Sequence, residues 1–229
     1  MKNDFRNGFI ANIPIGISVF AYGSVLGMIA TQKGVALYEL VLMNIFIFAG
    51  SAQFVIVDMW SSSLDVIGII LAALMINLRY FLVGASLNQL FIGTTKKEKF
   101  KYMHLVADEN WAITIDKMKT QEITPLFLFG GGIALFFLWS LGTIGGYTLG
   151  GFISDPSKFG LDFAFVAIFT ALTFNMYKGS NDILPWFIAA ITAVICEHFM
   201  DGKLYIVIGA LVGSLSATYF VKEDKHGID

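Results

Sequence analysis

The polar residues that could bind a solute lie inside long apolar stretches. "FAGSAQF" (48–54) places Gly50, Ser51 and Gln53 in one apolar run, and "INLRY" (76–80) places Asn77 and Arg79 in the next. Arg79 lies about 20 Å along its segment at the helical rise, too deep to reach either surface easily. A charged side chain at that depth is costly unless it meets a partner, so it marks a functional site by default. These five residues are therefore our candidates for substrate binding inside a membrane.

Helical phase puts a condition on this site. In a continuous helix Gln53 lies about 200° from Ser51, so both can face one cavity only if the helix opens at Gly50–Ser51. Such an opening exposes backbone N–H groups at a half-helix N-terminus, which binds a carboxylate well. We therefore expect an interrupted helix here. The alternative is that a neighbouring helix satisfies the Gln53 amide, which would make this residue structural.

Two adjacent acids, Asp108 and Glu109, occur in "VADENWAITID". This segment is amphipathic and too polar to span, so we expect it at the cytoplasmic surface or dipping into a cavity. Paired carboxylates suit proton coupling, because each raises the proton affinity of the other. The alternative is a solvated face at the membrane surface.

The composition is that of a membrane protein. Of the 229 residues 56% are hydrophobic and 14% are charged, against about 25% charged in soluble domains. A net charge of −2 without a basic stripe argues against nucleic-acid binding. Metalloprotease, nucleophile-elbow and phosphate-loop motifs are absent, so we predict no enzyme and no cofactor. The only cysteine, Cys196, adjoins Glu197 and His198, a spacing unsuited to a metal site.

The elements that must position these residues are transmembrane helices of about 20 apolar residues each. Four stretches reach that length and three shorter ones follow: 8–31, 38–60, 66–92, 125–152, 161–176, 183–198 and 204–221. We predict one all-α membrane domain over 1–229 with about seven spans, some of them broken or short. The pair within 161–198 could instead be re-entrant.

The distribution of lysines predicts the orientation. Most of them lie in the 93–124 connection, which we place in the cytoplasm together with its amphipathic segment. Alternation from that loop puts Lys33 and the C-terminus inside and the N-terminus outside. Lys2 and Arg6 near the N-terminus oppose this assignment.

The motifs together resemble a known family. "FAGSAQF", "INLRYFLVGASL", "ADENWAI" and "GLDFAFVAIFTAL" occur in the order typical of the AzlC-type large subunit of bacterial branched-chain amino acid exporters. The resemblance runs from about Gly8 to Ala217. It departs at Asp58, where we expect an apolar or small residue.

The resemblance implies export of leucine, isoleucine, valine and sometimes methionine across the bacterial cytoplasmic membrane, driven by the proton-motive force. It also implies a small hydrophobic AzlD-type partner subunit. We expect the glycine ridges on 125–152 and 204–221 to exceed what seven spans need for internal packing, which favours such a partner. An exporter or channel for another small organic solute is the alternative, and a membrane enzyme or a structural subunit is a third possibility.

Overall fold

A computed structural model describes residues 2–61, 63–153, 179–200 and 204–220, together with positions 166, 167, 170, 171, 173, 174 and 177. These residues are helical and include no strand. The helices are α1 (Lys2–Gln32), α2 (Leu37–Phe46), α3 (Gly50–Asp58), α4 (Val66–Asn77), α5 (Arg79–Ser86), α6 (Lys96–His104), α7 (Asp108–Thr120), α8 (Pro125–Gly150), α9 (Ile183–Phe199) and α10 (Leu204–Phe220). The predicted all-α membrane fold is confirmed.

The centre of the fold is a parallel pair formed by α1 and α8. Near their first turns the Asp4 carboxylate accepts hydrogen bonds from the backbone N–H and the hydroxyl of Thr124, at 3.1 and 2.7 Å. Near their other ends the Thr31 hydroxyl donates to the Tyr147 carbonyl at 2.8 Å. The two helices pack along their whole length. Because both contacts join equivalent ends, α1 and α8 run in the same direction.

The glycine ridges are used within the chain. A Cβ atom at Gly146 would overlap the Ser24 carbonyl of α1, so only glycine allows this approach of the two backbones. Gly209 and Gly213 of α10 also face α9 closely, since added Cβ atoms would lie 2.9 and 2.5 Å from the nearest atoms of Ala189. The inference that these ridges are surplus, and so point to a partner, is therefore wrong.

The stretch 38–60 is interrupted as expected, but it does not span. Between α2 and α3 the chain reverses through Phe48, whose φ of 36° is rare for a non-glycine residue. Near the tip, the Gln53 and Asn44 amides meet at 2.8 Å. At the end of the hairpin opposite the tip, Lys33, which follows α1, contacts Asp58 at the end of α3, at 3.3 Å. The beginning of α2 and the end of α3 therefore both lie beside the end of α1. The α2–α3 segment is a re-entrant hairpin whose irregular tip is buried in protein.

The remaining apolar segments form longer helices. Within the described part of the chain, four helices are long and apolar enough to cross a membrane: Asn3–Gln32, Val66–Ser86, Pro125–Gly150 and Ser180–Phe199. Val66–Ser86 is α4 and α5 joined with a slight break at Leu78. The predicted span 161–176 lies largely outside the described residues, so its form stays a prediction.

The re-entrant hairpin changes which parts of the chain lie at the same end of the molecule. The α2–α3 hairpin returns to the side of the molecule where α1 ends, so α4–α5 runs back along α1 and α8. It ends near the beginning of α8, where Leu128 belongs to the apolar cluster around the end of α5. The 93–124 connection then lies at the end of the molecule that holds the N-terminus, as the Asp4–Thr124 contact shows. Placing the N-terminus outside and this connection inside is therefore wrong. The C-terminal residues 221–229 lie outside the described residues, and their side stays a prediction.

Candidate functional site

A cavity of about 320 Å³ lies between α1, the tip of the α2–α3 hairpin, α5, α8 and the start of α7. Its polar side chains are Ser18, Tyr22, Ser51, Arg79, Tyr80, Asp108 and Glu109. The rest of the lining is largely apolar and aromatic. A small cavity with a few grouped charges in an apolar wall is typical of a small-molecule site.

Three helices begin at this cavity. Gly50 opens α3, Arg79 opens α5 and Asp108 opens α7, and all three residues line the cavity. The first N–H groups of a helix lack partners within the helix, and its N-terminus carries partial positive charge. The cavity therefore favours an anion beside the start of α3.

The Arg79 guanidinium ties two of these helix starts together. Its Nη1 atom contacts the Asp108 carboxylate at 2.5 Å, and its Nη2 atom donates to the Ser51 hydroxyl at 2.8 Å. Its Nε atom is buried and has no hydrogen-bond partner among the described residues. The side chain is 30% exposed, so part of the guanidinium is open to the cavity. Arg79 thus already has one protein anion and keeps a donor unused.

Asp58, the acid at the end of α3, is not the ion-pair partner of Arg79. Asp58 instead contacts Lys33 at the open end of the hairpin, far along α3 from its first residue. The true partner, Asp108, was predicted only as a proton-coupling residue. The pairing joins residues 29 positions apart in the sequence, so it depends on how α7 folds back.

Gln53 points away from the cavity. It is fully buried, its Nε2 donates to Asn44 at 2.8 Å, and its Oε1 accepts from the Trp139 indole at 2.9 Å. The alternative of an amide satisfied by neighbouring helices is what the structure displays. The helix opens before Gly50, so Ser51 and Gln53 belong to one continuous helix and face different sides.

Asn77 also lies outside the cavity lining. It is the last residue of α4, and its buried Oδ1 atom has no hydrogen-bond partner in the described part of the chain. Of the five predicted substrate-binding residues, the structure thus brings Gly50, Ser51 and Arg79 to the cavity.

The acidic segment dips into the cavity rather than lying at the surface. At the turn between α6 and α7 the His104 ring nitrogen lies 2.7 Å from the Ile45 carbonyl near the hairpin tip. Asn110 holds this turn by donating to the carbonyls of Leu105 and Leu128. The turn therefore carries Asp108 and Glu109 inward to meet Arg79.

Glu109 has an altered proton affinity. Burial raises the pKa of its carboxyl, and Asp108 raises it further, while its own backbone N–H and Arg79 oppose the increase. The net direction is upward. Glu109 therefore holds its proton to a higher pH than a solvated glutamate.

The apolar lining was missed by sequence reasoning. Val19, Phe48, Phe54, Leu135 and Trp139 line the cavity, but apolar residues in an apolar helix look the same whether they face lipid or a site. One signal was available. Trp139 lies in the middle of its helix, away from the membrane surface that tryptophan prefers, and its buried N–H needs a partner.

Comparison with known proteins places these residues among related sequences. The family model described as AzlC protein matches residues 14–153, which include all seven predicted site residues. A membrane protein of Helicobacter pylori, described as uncharacterized, is 24% identical over 221 residues, 96% of each chain. The branched-chain amino acid transport protein AzlC of Bacillus subtilis is 26% identical over 172 residues, 73% of this chain and 66% of that one. The inner membrane protein YgaZ of Escherichia coli is 26% identical over 215 residues, 93% of this chain and 80% of that one. No solved structure matches the chain.

Proposed function

Because the chain belongs to the AzlC family, we propose that it is a secondary transporter subunit that exports branched-chain amino acids across the bacterial cytoplasmic membrane. The observation that carries this proposal is Arg79, which faces a cavity inside the helix bundle beside the first residues of α3. The relative from Bacillus subtilis is named for transport of the same substrates.

We assign the substrate carboxylate to Gly50, Ser51 and Arg79. The start of α3 supplies backbone N–H groups, and the exposed part of the Arg79 guanidinium can add a charge-assisted hydrogen bond. Arginine suits this task because its planar fork matches the geometry of a carboxylate.

We assign the ammonium group and the side chain of the substrate to the remaining lining. Asp108 and Glu109 are the acids of the cavity and can meet an ammonium group, while Val19, Leu135 and Trp139 offer an apolar wall. A volume of about 320 Å³ lies at the small end of ligand pockets, which fits an amino acid better than a larger solute.

Proton coupling is proposed for Asp108 and Glu109, with export driven by the proton-motive force. The substrate carboxylate competes with Asp108 for Arg79, so substrate binding acts directly on the acidic pair. Glu109 beside it already has a raised pKa. Asp108→Asn or Glu109→Gln should abolish export driven by a pH gradient while leaving measurable substrate exchange, because each variant keeps the other acid for the ammonium group. If the pH dependence of export is unchanged in both variants, these acids have a structural role and do not carry the proton.

We further propose a small hydrophobic AzlD-type subunit as partner, on the basis of family membership. For orientation, we place the end that holds the N-terminus and the 93–124 connection in the cytoplasm. This end gathers Lys2, Arg6 and the lysines of that connection, in agreement with the positive-inside rule.

Counterflow in proteoliposomes tests the proposed function. The chain is purified alone and with its partner subunit, and the vesicles are loaded with unlabelled leucine before labelled leucine is added outside. We expect the complex to accumulate label transiently, at a rate well above that of empty vesicles and of the chain alone. Absence of counterflow by a folded complex would reject leucine transport, and full activity of the single chain would reject an obligate partner.

A further inference from the structure

We propose that Trp139 limits the size of the substrate side chain, and that Gln53 and Asn44 are positioning residues that hold its indole in place. This inference rests on the proposed function, since it names what selects among amino acids at the same cavity. It gives Gln53 a role in selectivity without any contact to substrate.

The indole is held by a buried set of amides. Its Nε1 atom donates to Gln53 at 2.9 Å and to Asn44 at 3.1 Å, while Gln53 also donates to Asn44 at 2.8 Å. Asn44 in turn donates to the Thr143 hydroxyl at 2.7 Å, one turn along α8 from Trp139. All three partners of this network are almost completely buried. Rotation of the indole would leave its own N–H and the buried Gln53 Oε1 atom without partners, which is unfavourable.

The opposite edge of the indole faces the cavity. Trp139 lines the cavity, and a Cβ atom at Gly50 would lie 3.0 Å from its Cη2 atom. The six-membered ring therefore stands directly beside the proposed carboxylate site. A substrate whose carboxylate lies at the start of α3 must place its side chain next to this ring.

Together these contacts make the wall rigid. The Phe54 ring meets the indole edge-on at 6.4 Å between centroids and supports it on the α3 side. A rigid wall rejects a side chain that is too large, whereas a movable one adapts to it. The hydrogen bonds of Gln53 and Asn44 thus convert an ordinary cavity wall into a size limit.

Gln53→Met tests the inference, because methionine has a similar length and replaces the strong amide acceptor of the indole N–H by a weak thioether sulfur. Competition of unlabelled leucine and phenylalanine against labelled leucine is measured in the counterflow assay. We expect the preference for leucine over phenylalanine to fall about tenfold, the discrimination that one methylene-sized misfit is worth in an apolar pocket. Asn12→Leu is the matched control, since Asn12 is an equally buried amide on α1 outside the cavity lining. It should leave the preference unchanged.

A double-mutant cycle separates positioning from a general loss of structure. If Gln53 acts through the indole, Gln53→Met should have little further effect on the preference in a Trp139→Phe background. An equal shift in that background, or a wild-type preference in Gln53→Met alone, would overturn the inference.

A second measurement does not depend on transport. The indole N–H signal of Trp139, identified in ¹⁵N–¹H spectra by its loss in Trp139→Phe, should shift in Gln53→Met and stay in place in Asn12→Leu. An unmoved signal in Gln53→Met would reject the positioning role even if leucine transport is confirmed. Absence of leucine counterflow in the wild type, with the signal shifting as expected, would instead reject the proposed substrate.

Discussion

Replacing Arg79 by lysine is the most direct test of the carboxylate site. Lysine keeps the positive charge but replaces a planar fork of donors by a single ammonium group. In the structure the Nη1 atom contacts Asp108 and the Nη2 atom donates to Ser51, while the exposed part of the guanidinium faces the cavity. An ammonium group on a flexible stem can stay with Asp108, but it cannot hold Ser51 and the substrate in the same geometry.

The size of the effect follows from the donor that is lost. A hydrogen bond to a charged group is worth about 1.5–3 kcal/mol, and every 1.4 kcal/mol is about tenfold in affinity. Leucine should therefore bind about 10- to 150-fold more weakly to Arg79→Lys. The fold itself should lose little, since the Asp108 side chain is 46% exposed and ion pairs this open contribute at most about 1 kcal/mol.

The assay is leucine binding to the purified complex by titration calorimetry, with thermal unfolding measured on the same samples. Lys33→Arg is the matched control, because it conserves charge at another cross-helix ion pair, with Asp58, away from the cavity. It should bind leucine like the wild type. Wild-type affinity in a folded Arg79→Lys would refute the reasoning and make Arg79 a structural tie between α5 and α7.

Three further predictions concern proton affinity, packing and orientation. The raised pKa of Glu109 contributes stability that is fully present below the solvated value of about 4.3 and is lost as pH rises through the folded pKa. Glu109→Gln should therefore gain melting temperature relative to the wild type as pH rises above the solvated value of about 4.3, and a constant difference would contradict this. Gly146→Ala should destabilise the protein by about 1–3 kcal/mol, because the new methyl group meets the α1 backbone. Gly145→Ala, which has open space around it, should be neutral in the same denaturation experiment; equal effects would argue against close α1–α8 packing. In a cysteine-free background, a cysteine at Asn3 should be protected from impermeant thiol reagents in intact cells and one at Ser63 should react, and labelling of position 3 from outside would reverse the orientation.

The sequence alone was sufficient for the class of protein and for part of the site. Runs of about 20 apolar residues reflect the thickness of the bilayer, so α1, α4–α5 and α8 could be located without a structure. The Gly50–Ser51 pair within such a run indicated that the helix opens there, and α3 indeed begins at Gly50. Arg79 could be identified as a site residue because a charged side chain inside a membrane segment is costly and usually has a functional role.

Only the tertiary structure decided which groups meet. The run 38–60 is long enough to span, yet it turns back because its buried amides pair with each other and with α8. That reversal moved the N-terminus to the side of the 93–124 connection. The same folding brought Asp108 to Arg79 and turned Gln53 toward Trp139. An apolar pattern indicates that a residue is removed from water. The pattern is the same whether the residue faces lipid, a neighbouring helix or a substrate cavity. The partner of each polar group therefore depends on the packing of helices distant in sequence.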